Sequence, residues 1–293
     1  MISRKFIIWA CGLLFVFSSC AEDMVKPIEN DKDAPGTVQD VKTESLPGAV
    51  KFTYTLPSDP DLLYVLAKYT NKTGKVMEFR SSFYTNSVTV EGFGDTDTYK
   101  VELYTVDRSE NRSQPQIVEV APLTPPILSC YESLSVVSDF GGMTFEMDNK
   151  FKSDLAIYVC TPDELGDMVL AETFYSAREE IVYSVRGYDA VPRRFGIFLQ
   201  DKYGNETDTL FTELTPIYER ELDKTKFREM YLQNDSRVDS YDGKMEYVWN
   251  GRISKDGDSG GVGLHTGTGT KDGPAVFTFD LGVLAKLSRF ALW

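Results

Sequence analysis

Histidine is almost missing from this chain: among 293 residues there is one, His265. That excludes any metal centre built on two imidazoles. Cysteine is nearly as scarce, with four in all. Cys11 lies in an apolar leader and Cys20 at its end, so Cys130 and Cys160 alone remain for disulfide or metal chemistry, too few for a disulfide scaffold. A bridge between them and two separate thiols both stay open. Clustered positive charge is lacking as well. With 31 Lys+Arg against 45 Asp+Glu the formal net charge is −14, and no basic stripe runs through the sequence. Nucleic acid is therefore excluded as a partner, because a phosphate backbone needs a basic footprint. Acidity of this degree implies solubility and little attraction to anionic surfaces. Long apolar runs are absent too. The longest, Phe6 to Phe17, is too short to cross a hydrocarbon core of about 30 Å as a helix.

That short run has a different meaning. Arg4 and Lys5 precede it, and Phe17-Ser18-Ser19-Cys20 follows as a small-residue cleavage site ending in cysteine. This is the pattern of a lipoprotein signal, with residues 1–19 removed and Cys20 acylated at the new N-terminus. Several acyl chains on one residue give stable anchoring, where a single chain gives only marginal binding. Glu22 and Asp23 come next, and this acidic pair resembles the export signal that sends lipoproteins of gut-type anaerobic Gram-negative bacteria to the cell surface. The expected location is the outer membrane, lipid-anchored and facing outward. Residues 20–34 are polar and acidic without apolar periodicity, and read as a flexible tether.

What the chain has in quantity is aromatic side chains, 16 Tyr and 18 Phe, many in alternating positions. Val50, Phe52, Tyr54 and Leu56 alternate with polar residues, the period-two mark of a half-buried strand. Further strands are predicted at Leu62 to Tyr69, Val76 to Arg80, Ser87 to Val90 and Tyr99 to Val106, separated by turn sequences such as Asn71-Lys72-Thr73-Gly74. Short strands at this spacing point to a β-sandwich. The layout then repeats. Gly48-Ala49-Val50-Lys51-Phe52 matches Gly141-Gly142-Met143-Thr144-Phe145, and Leu63-Tyr64-Val65 matches Ile157-Tyr158-Val159. Val106-Asp107-Arg108-Ser109-Glu110-Asn111 followed by Leu123-Thr124-Pro125 matches Gln200-Asp201-Lys202-Tyr203-Gly204-Asn205 followed by Leu214-Thr215-Pro216. Two tandem sandwiches are expected, at 35–124 and 125–216.

Pro35-Gly36-Thr37-Val38, Asp61-Leu62-Leu63-Tyr64-Val65, Tyr84-Thr85-Asn86-Ser87 and the run from Leu103 to Asn111 resemble the fibronectin type III-like modules of lipoproteins encoded with polysaccharide-utilisation systems. Such proteins carry a signal, two immunoglobulin-like modules and a C-terminal discoidin-like domain of the coagulation factor 5/8 type C kind. In residues 217–293, Ala275 to Gly282 and Leu287 to Trp293 are similar to the discoidin pattern of a strand ending in Asp-Leu-Gly, a short turn and a second strand. The fold class expected is therefore all-β: two immunoglobulin/fibronectin type III-like sandwiches, then an incomplete discoidin-like β-sandwich lacking its closing strands, with a sheet edge left open. Glu219 to Leu232, with Leu222, Phe227 and Met230 at loosely helical spacing, is expected to connect into it.

Gly257-Asp258-Ser259-Gly260-Gly261 matches the nucleophile loop of trypsin-like proteases, but such a serine needs a histidine base supplied from elsewhere in the fold. His265 lies six residues downstream in the same loop, so the plain reading is a hydrophilic glycine-rich loop. Asn250-Gly251 stands where discoidin-like domains often begin a calcium loop, and Asn250, Asp256 and Asp258 are the candidate oxygen ligands. Asn in place of the usual Asp, and Lys255 interrupting the run, favour an ordinary Asn-Gly turn. Calcium is thus the one cofactor to consider. Sugar recognition needs a flat ring to stack on and directional groups for hydroxyls. The candidates are Tyr241, Trp249, His265 and Trp293, with Asn250, Arg252, Asp258 and Lys271 as polar partners. Trp249 continues the alternation Met245, Tyr247, Trp249 and Trp293 ends an apolar strand, which assigns both to the core first; His265 is the best single candidate. Acidic pairs such as Glu179-Glu180 carry no catalytic signal, because glycosidase chemistry needs two carboxyls at fixed separation across a cleft. The function expected is non-catalytic binding of an extracellular poly- or oligosaccharide. The alternative is a docking subunit of an outer-membrane transporter complex that does not touch sugar.

Overall fold

Strand β2 (Ala49–Thr55) buries Val50, Phe52 and Tyr54 and exposes Lys51, Thr53 and Thr55, so the alternation in sequence is the alternation in space. The structure, a computed structural model, describes residues 32–238, 243–252 and 275–291. β2 lies between β1 (Gln39–Leu46) and β5 (Ser87–Glu91) in an antiparallel sheet ordered β1-β2-β5. The facing sheet is ordered β4-β3-β6-β7, from β3 (Leu62–Thr70), β4 (Val76–Ser82), β6 (Tyr99–Asp107) and β7 (Gln116–Val120). Val50, Phe52 and Val90 of one sheet meet Val65, Ala67, Val101 and Leu103 of the other in one buried cluster. Full burial of a side chain such as Phe52 contributes about 1.5–3 kcal/mol.

The next sandwich has the same topology. β8 (Ser135–Asp139), β9 (Gly142–Asp148) and β12 (Glu180–Arg186) are ordered β12-β9-β8; β10 (Leu155–Pro162), β11 (Met168–Ser176), β13 (Arg193–Asp201) and β14 (Leu210–Leu214) are ordered β11-β10-β13-β14. Met143, Phe145, Ile157, Val159, Ile181, Phe195 and Ile197 are buried in it. The fold is all-β, with two immunoglobulin/fibronectin type III-like sandwiches. By contacts the chain forms two compact units. One gathers the described residues up to Glu132 with the loops Asn149–Leu155 and Leu199–Thr207; the other holds Ser133–Asp148, Ala156–Phe198 and the described residues from Asp208 onward.

The repeat extends to individual hydrogen bonds. Asp107 Oδ1 accepts from the backbone of Ser109 at 2.9 Å and Asn111 at 2.8 Å, and its Oδ2 accepts from Asn111 Nδ2 at 2.9 Å. Asp201 does the same with Tyr203 N at 2.9 Å, Asn205 N at 2.9 Å and Asn205 Nδ2 at 2.8 Å. A carboxylate at the first position thereby closes a five-residue loop on itself, mimicking a backbone turn. Asn71, Asn149 and Asp163 close loops in the same way, accepting from the amides of Lys75, Ser153 and Asp167. The fourth residue of each loop is left-handed: Gly74, Glu110, Lys152, Gly166 and Gly204 have φ of 80°, 64°, 51°, 90° and 86°.

The residue that leaves each sandwich is clipped to that sandwich's first hairpin. Leu123 N donates to Leu46 O at 3.0 Å and Leu123 O accepts from Gly48 N at 3.0 Å; Ile217 N donates to Asp139 O at 2.9 Å and its O accepts from Gly141 N at 2.7 Å. This corrects one match drawn from sequence. Leu123 corresponds to Ile217 and not to Leu214, so Pro122 pairs with Pro216, and the Leu-Thr-Pro match is three residues out of register.

Other expectations also change. β1 and β7 carry no apolar alternation and are additional to the predicted strands. A short helix, α1 (Pro126–Glu132), follows the first sandwich; Pro126 sits at its first position, where the missing N–H costs nothing, and Ile127 and Cys130 form its buried face. The helical connection expected from Glu219 to Leu232 is instead a single 3-10 turn, Lys224–Lys226, followed by β15 (Arg228–Met230). β15 pairs antiparallel with β16 (Thr278–Asp280), the strand before Leu281-Gly282. Met245 to Trp249, expected to alternate as a strand, is a 3-10 turn over Met245–Val248 with only Met245 buried. Leu287 to Ala291, expected as a strand, is none among the described residues. Cys130 and Cys160 are separate thiols, Cys130 buried with its Sγ 3.6 Å from Asn149 Oδ1, Cys160 half-buried. No helix among the described residues is long and apolar enough to cross a membrane.

Candidate functional site

Of the residues proposed for function from sequence, Cys20, Tyr241, Asp256, Asp258, His265, Lys271 and Trp293 lie outside the described residues. Trp249, Asn250 and Arg252 are the glycan and calcium candidates that fall among the described residues. Trp249, half-buried, packs its ring 5.1 Å from Phe279 and 5.8 Å from Phe227, centroid to centroid, and so braces the paired strands β15 and β16. Asn250 turns its Oδ1 back to accept from Arg252 N at 2.9 Å. Its carbonyl oxygen is thus engaged in the turn that Asn-Gly sequences form, and Gly251 takes a φ of 76°. Among the described residues no group of three or more His, Cys, Asp or Glu is placed to hold a metal.

The described chain does build a concave site that sequence did not mark, and it lies within the first compact unit. A cleft of about 300 Å³ is lined by the β1–β2 turn, the end of β5, the start of α1 and the loops that begin at Asn149 and Asp201. Prolines 47, 125 and 126 supply rigid apolar wall. Phe151 lines it with 51 % of its surface exposed. Its polar lining includes Glu91, Asp154 and Lys202.

Tyr203 fixes one side. Its hydroxyl makes a short hydrogen bond to Glu91 Oε2, and burial followed by that bond pushes its pKa well above the usual tyrosine value. The same end of β5 is held from the core side, where Tyr69 OH donates to Glu91 O at 2.8 Å. Lys202 places its ammonium 5.0 Å over the Tyr203 ring, a cation–π contact. Gly92 is required here for two reasons. Its φ is 84°, and a Cβ would come within 2.8 Å of the Tyr203 ring. Asn205 Nδ2 completes the seat by donating to Gly92 O at 3.1 Å.

A second polar cluster belongs to the other compact unit. Arg186 bonds Asp139 Oδ2 at 2.9 Å, Glu219 Oε1 at 3.2 Å and Phe140 O at 3.0 Å. Glu219 Oε1 also accepts from Ser288 Oγ at 2.6 Å and lies 3.4 Å from Arg289 Nε. Burial pushes the Asp139 carboxyl up, but bonds from Phe140 N, Thr144, Arg186 and Ser184 outweigh it and hold the pKa below the usual carboxylate value. Glu219 Oε1, shared between Arg186, Ser288 and Arg289, makes this cluster an anchor for the C-terminal segment.

Comparison with known proteins gives two family matches, each covering part of the chain. Residues 35–122 match a domain of unknown function, DUF4959, and residues 123–225 match another, DUF5126. No curated protein matches the sequence. Among solved structures, a SusE-like protein is 30% identical, covering 56% of this chain and 57% of its own, with a TM-score of 0.35. A two-domain fibronectin type III segment of chicken tenascin is 12% identical over 61% of this chain and 99% of its own, with a TM-score of 0.29. The chicken interferon gamma receptor alpha chain is 10% identical over 63% of this chain and 100% of its own, with a TM-score of 0.25. The chain thus spans 57% of the length of the SusE-like structure it resembles.

Proposed function

We propose that this chain is a non-catalytic lipoprotein of the outer-membrane surface that binds extracellular glycan within a polysaccharide-uptake system. The observation that carries the reading is architectural: a leader ending in an acylation-type cysteine stands in front of two sandwiches that repeat down to single hydrogen bonds. An anchor and repeated modules of this kind make a display arm, which has use for a ligand outside the cell. The discoidin-like identity of the C-terminal segment, and His265 with Tyr241, Asp258 and Trp293 as its sugar contacts, belong to this proposal and rest on sequence resemblance.

A docking role without sugar contact has one specific observation in its favour. β11 is an edge strand that exposes Val169 at 42 % and Leu170 at 56 %, and an unprotected apolar edge is a template for another strand. Affinity electrophoresis of the full chain against a broad polysaccharide panel separates the two. Retardation by a polysaccharide, weakened by His265→Ala, supports the glycan-binding reading and its C-terminal tip. Absence of retardation across the panel overturns glycan binding and leaves docking.

A further inference from the structure

We infer that the cleft of the first compact unit is itself a saccharide site, with Phe151 as the stacking platform, and that it takes a neutral glycan in preference to a uronate or sulfated one. This rests on the glycan-binding reading above and adds a location and a ligand class to it.

The argument starts from the ring. Phe151 is a large apolar side chain at a loop position, half exposed where burial would be worth about 1.5–3 kcal/mol. Its backbone is held in place: the loop is closed by Asn149, which accepts from Ser153 N at 2.9 Å, with Lys152 left-handed. Asn149 is fully buried and its amide nitrogen donates to Ser153 O at 2.9 Å, which fixes the loop from inside. A rigid loop presenting a ring to a concave surface is what stacking against a sugar face requires, because little ordering entropy is lost on binding. Prolines 47, 125 and 126 around it add flat C–H surface without donors that would need satisfying.

The polar groups set the ligand class. Asp154 is exposed and lines the cleft, Glu91 has one carboxylate oxygen engaged by Tyr203, and Lys202 presents an ammonium. Carboxylates that accept from paired hydroxyls and an ammonium that donates to ring or hydroxyl oxygens are suited to a polyol. The lining holds the three acidic residues Glu91, Asp154 and Asp201 against the two basic residues Lys152 and Lys202. A chain whose net charge is −14 surrounds it. An anionic sugar would meet repulsion here, so neutral hexose or pentose units fit. The volume of about 300 Å³ is at the small end of ligand clefts, room for a short stretch of a glycan chain.

The test is isothermal titration of the full chain with neutral polysaccharides (amylopectin, xyloglucan, galactomannan) and with polygalacturonate as the anionic probe. The full chain is expected to bind at least one neutral polysaccharide. Phe151→Ala is expected to weaken that binding about tenfold or more, with Phe151→Tyr retaining most of it and Asp154→Asn giving a smaller loss; polygalacturonate is expected not to bind. Phe151 is exposed, so its replacement leaves the fold intact, and unchanged circular dichroism checks this. Equal affinity of the wild-type chain, Phe151→Ala and Asp154→Asn overturns the cleft while leaving glycan binding standing. Tighter binding of polygalacturonate overturns the ligand class. No binding of any probe overturns both the cleft and the reading it rests on.

Discussion

A single side-chain oxygen decides the shape of five loops in this chain, and the cost of losing it differs from loop to loop. Asp107 is 1 % exposed and serves three donors of its loop. Its replacement by Ala leaves those donors without their charged acceptor, an expected loss of roughly 2–3 kcal/mol, read by urea unfolding. At the fourth position the effect is conformational alone. A Cβ on Gly204 would meet nothing within 4 Å, yet its φ is 86°, so Gly204→Ala is expected to cost about 1–2 kcal/mol. Should the two substitutions prove equally harmless, the loops are held by their flanking strands and not by this device.

Thiol chemistry is the other prediction at this scale. Burial pushes the Cys160 pKa up from its ordinary value, and Cys130 is buried outright. The thiolate is the reacting species, so the native protein should react with a thiol reagent well below the rate of free cysteine and should yield both thiols on unfolding without reductant. Recovery of fewer than two would mean that Cys130 and Cys160 had paired.

Among the elements, the two sandwiches differ most at corresponding edges. β4 places Glu78 and Arg80 along its length, with Arg80 lying 5.2 Å over the Tyr64 ring, whereas β11 carries Val169, Leu170 and Ala171 with Glu172 as its only charge. Charged residues blunt an edge and apolar ones leave it open. Leu170→Lys is expected to suppress concentration-dependent association of the full chain in sedimentation velocity and to leave unfolding within about 0.5 kcal/mol of wild type. Equal sedimentation of the two proteins across concentration would show that this edge is already protected.

The elements also show what was legible in sequence. β2, β3, β6 and their counterparts could be read because one face is buried and each second residue is apolar. β1 could not, since its burial pattern is mostly exposed and its residues, Gln39 to Leu46, are mainly polar; backbone pairing with β2 makes it a strand. Helix α1 escaped because seven residues are too few to show a helical period. Met245, Tyr247 and Trp249 looked like a strand because three large side chains fell two apart by chance, while the backbone coils as a 3-10 turn. The cleft was unreadable for a different reason. Its lining comes from residues near 47, 91, 125, 151 and 201, and no local pattern links segments so far apart.

At the scale of the whole molecule, acidity links the charge count to stability. Asp139 has a folded-state pKa below the ordinary 3.8, and so does Asp95, which burial pushes up but bonds from Lys72, Asp97 N and Tyr99 hold down. Depressed carboxylates contribute stability that is present above the unfolded-state value and lost as pH falls through the folded-state one. Stability should therefore be flat near neutrality and decline below about pH 4, and Asp139→Asn should lower the melting temperature at pH 7 while reducing the drop between pH 4 and pH 2. A variant with an unaltered acid slope would assign the loss to other carboxylates.

The exit clips give the chain a mechanical property. Leu123 and Ile217 are each bonded through both N–H and C=O to the first hairpin of the sandwich they leave. Tension drawn along the backbone from the C-terminal side reaches that pair of bonds before it reaches β7 or β14. Each sandwich thus has its own latch at the point where load enters, and a forced-extension trace should show a small early peel ahead of each main rupture. The latch takes up a tug from the C-terminal side before the load reaches the packed core of the sandwich.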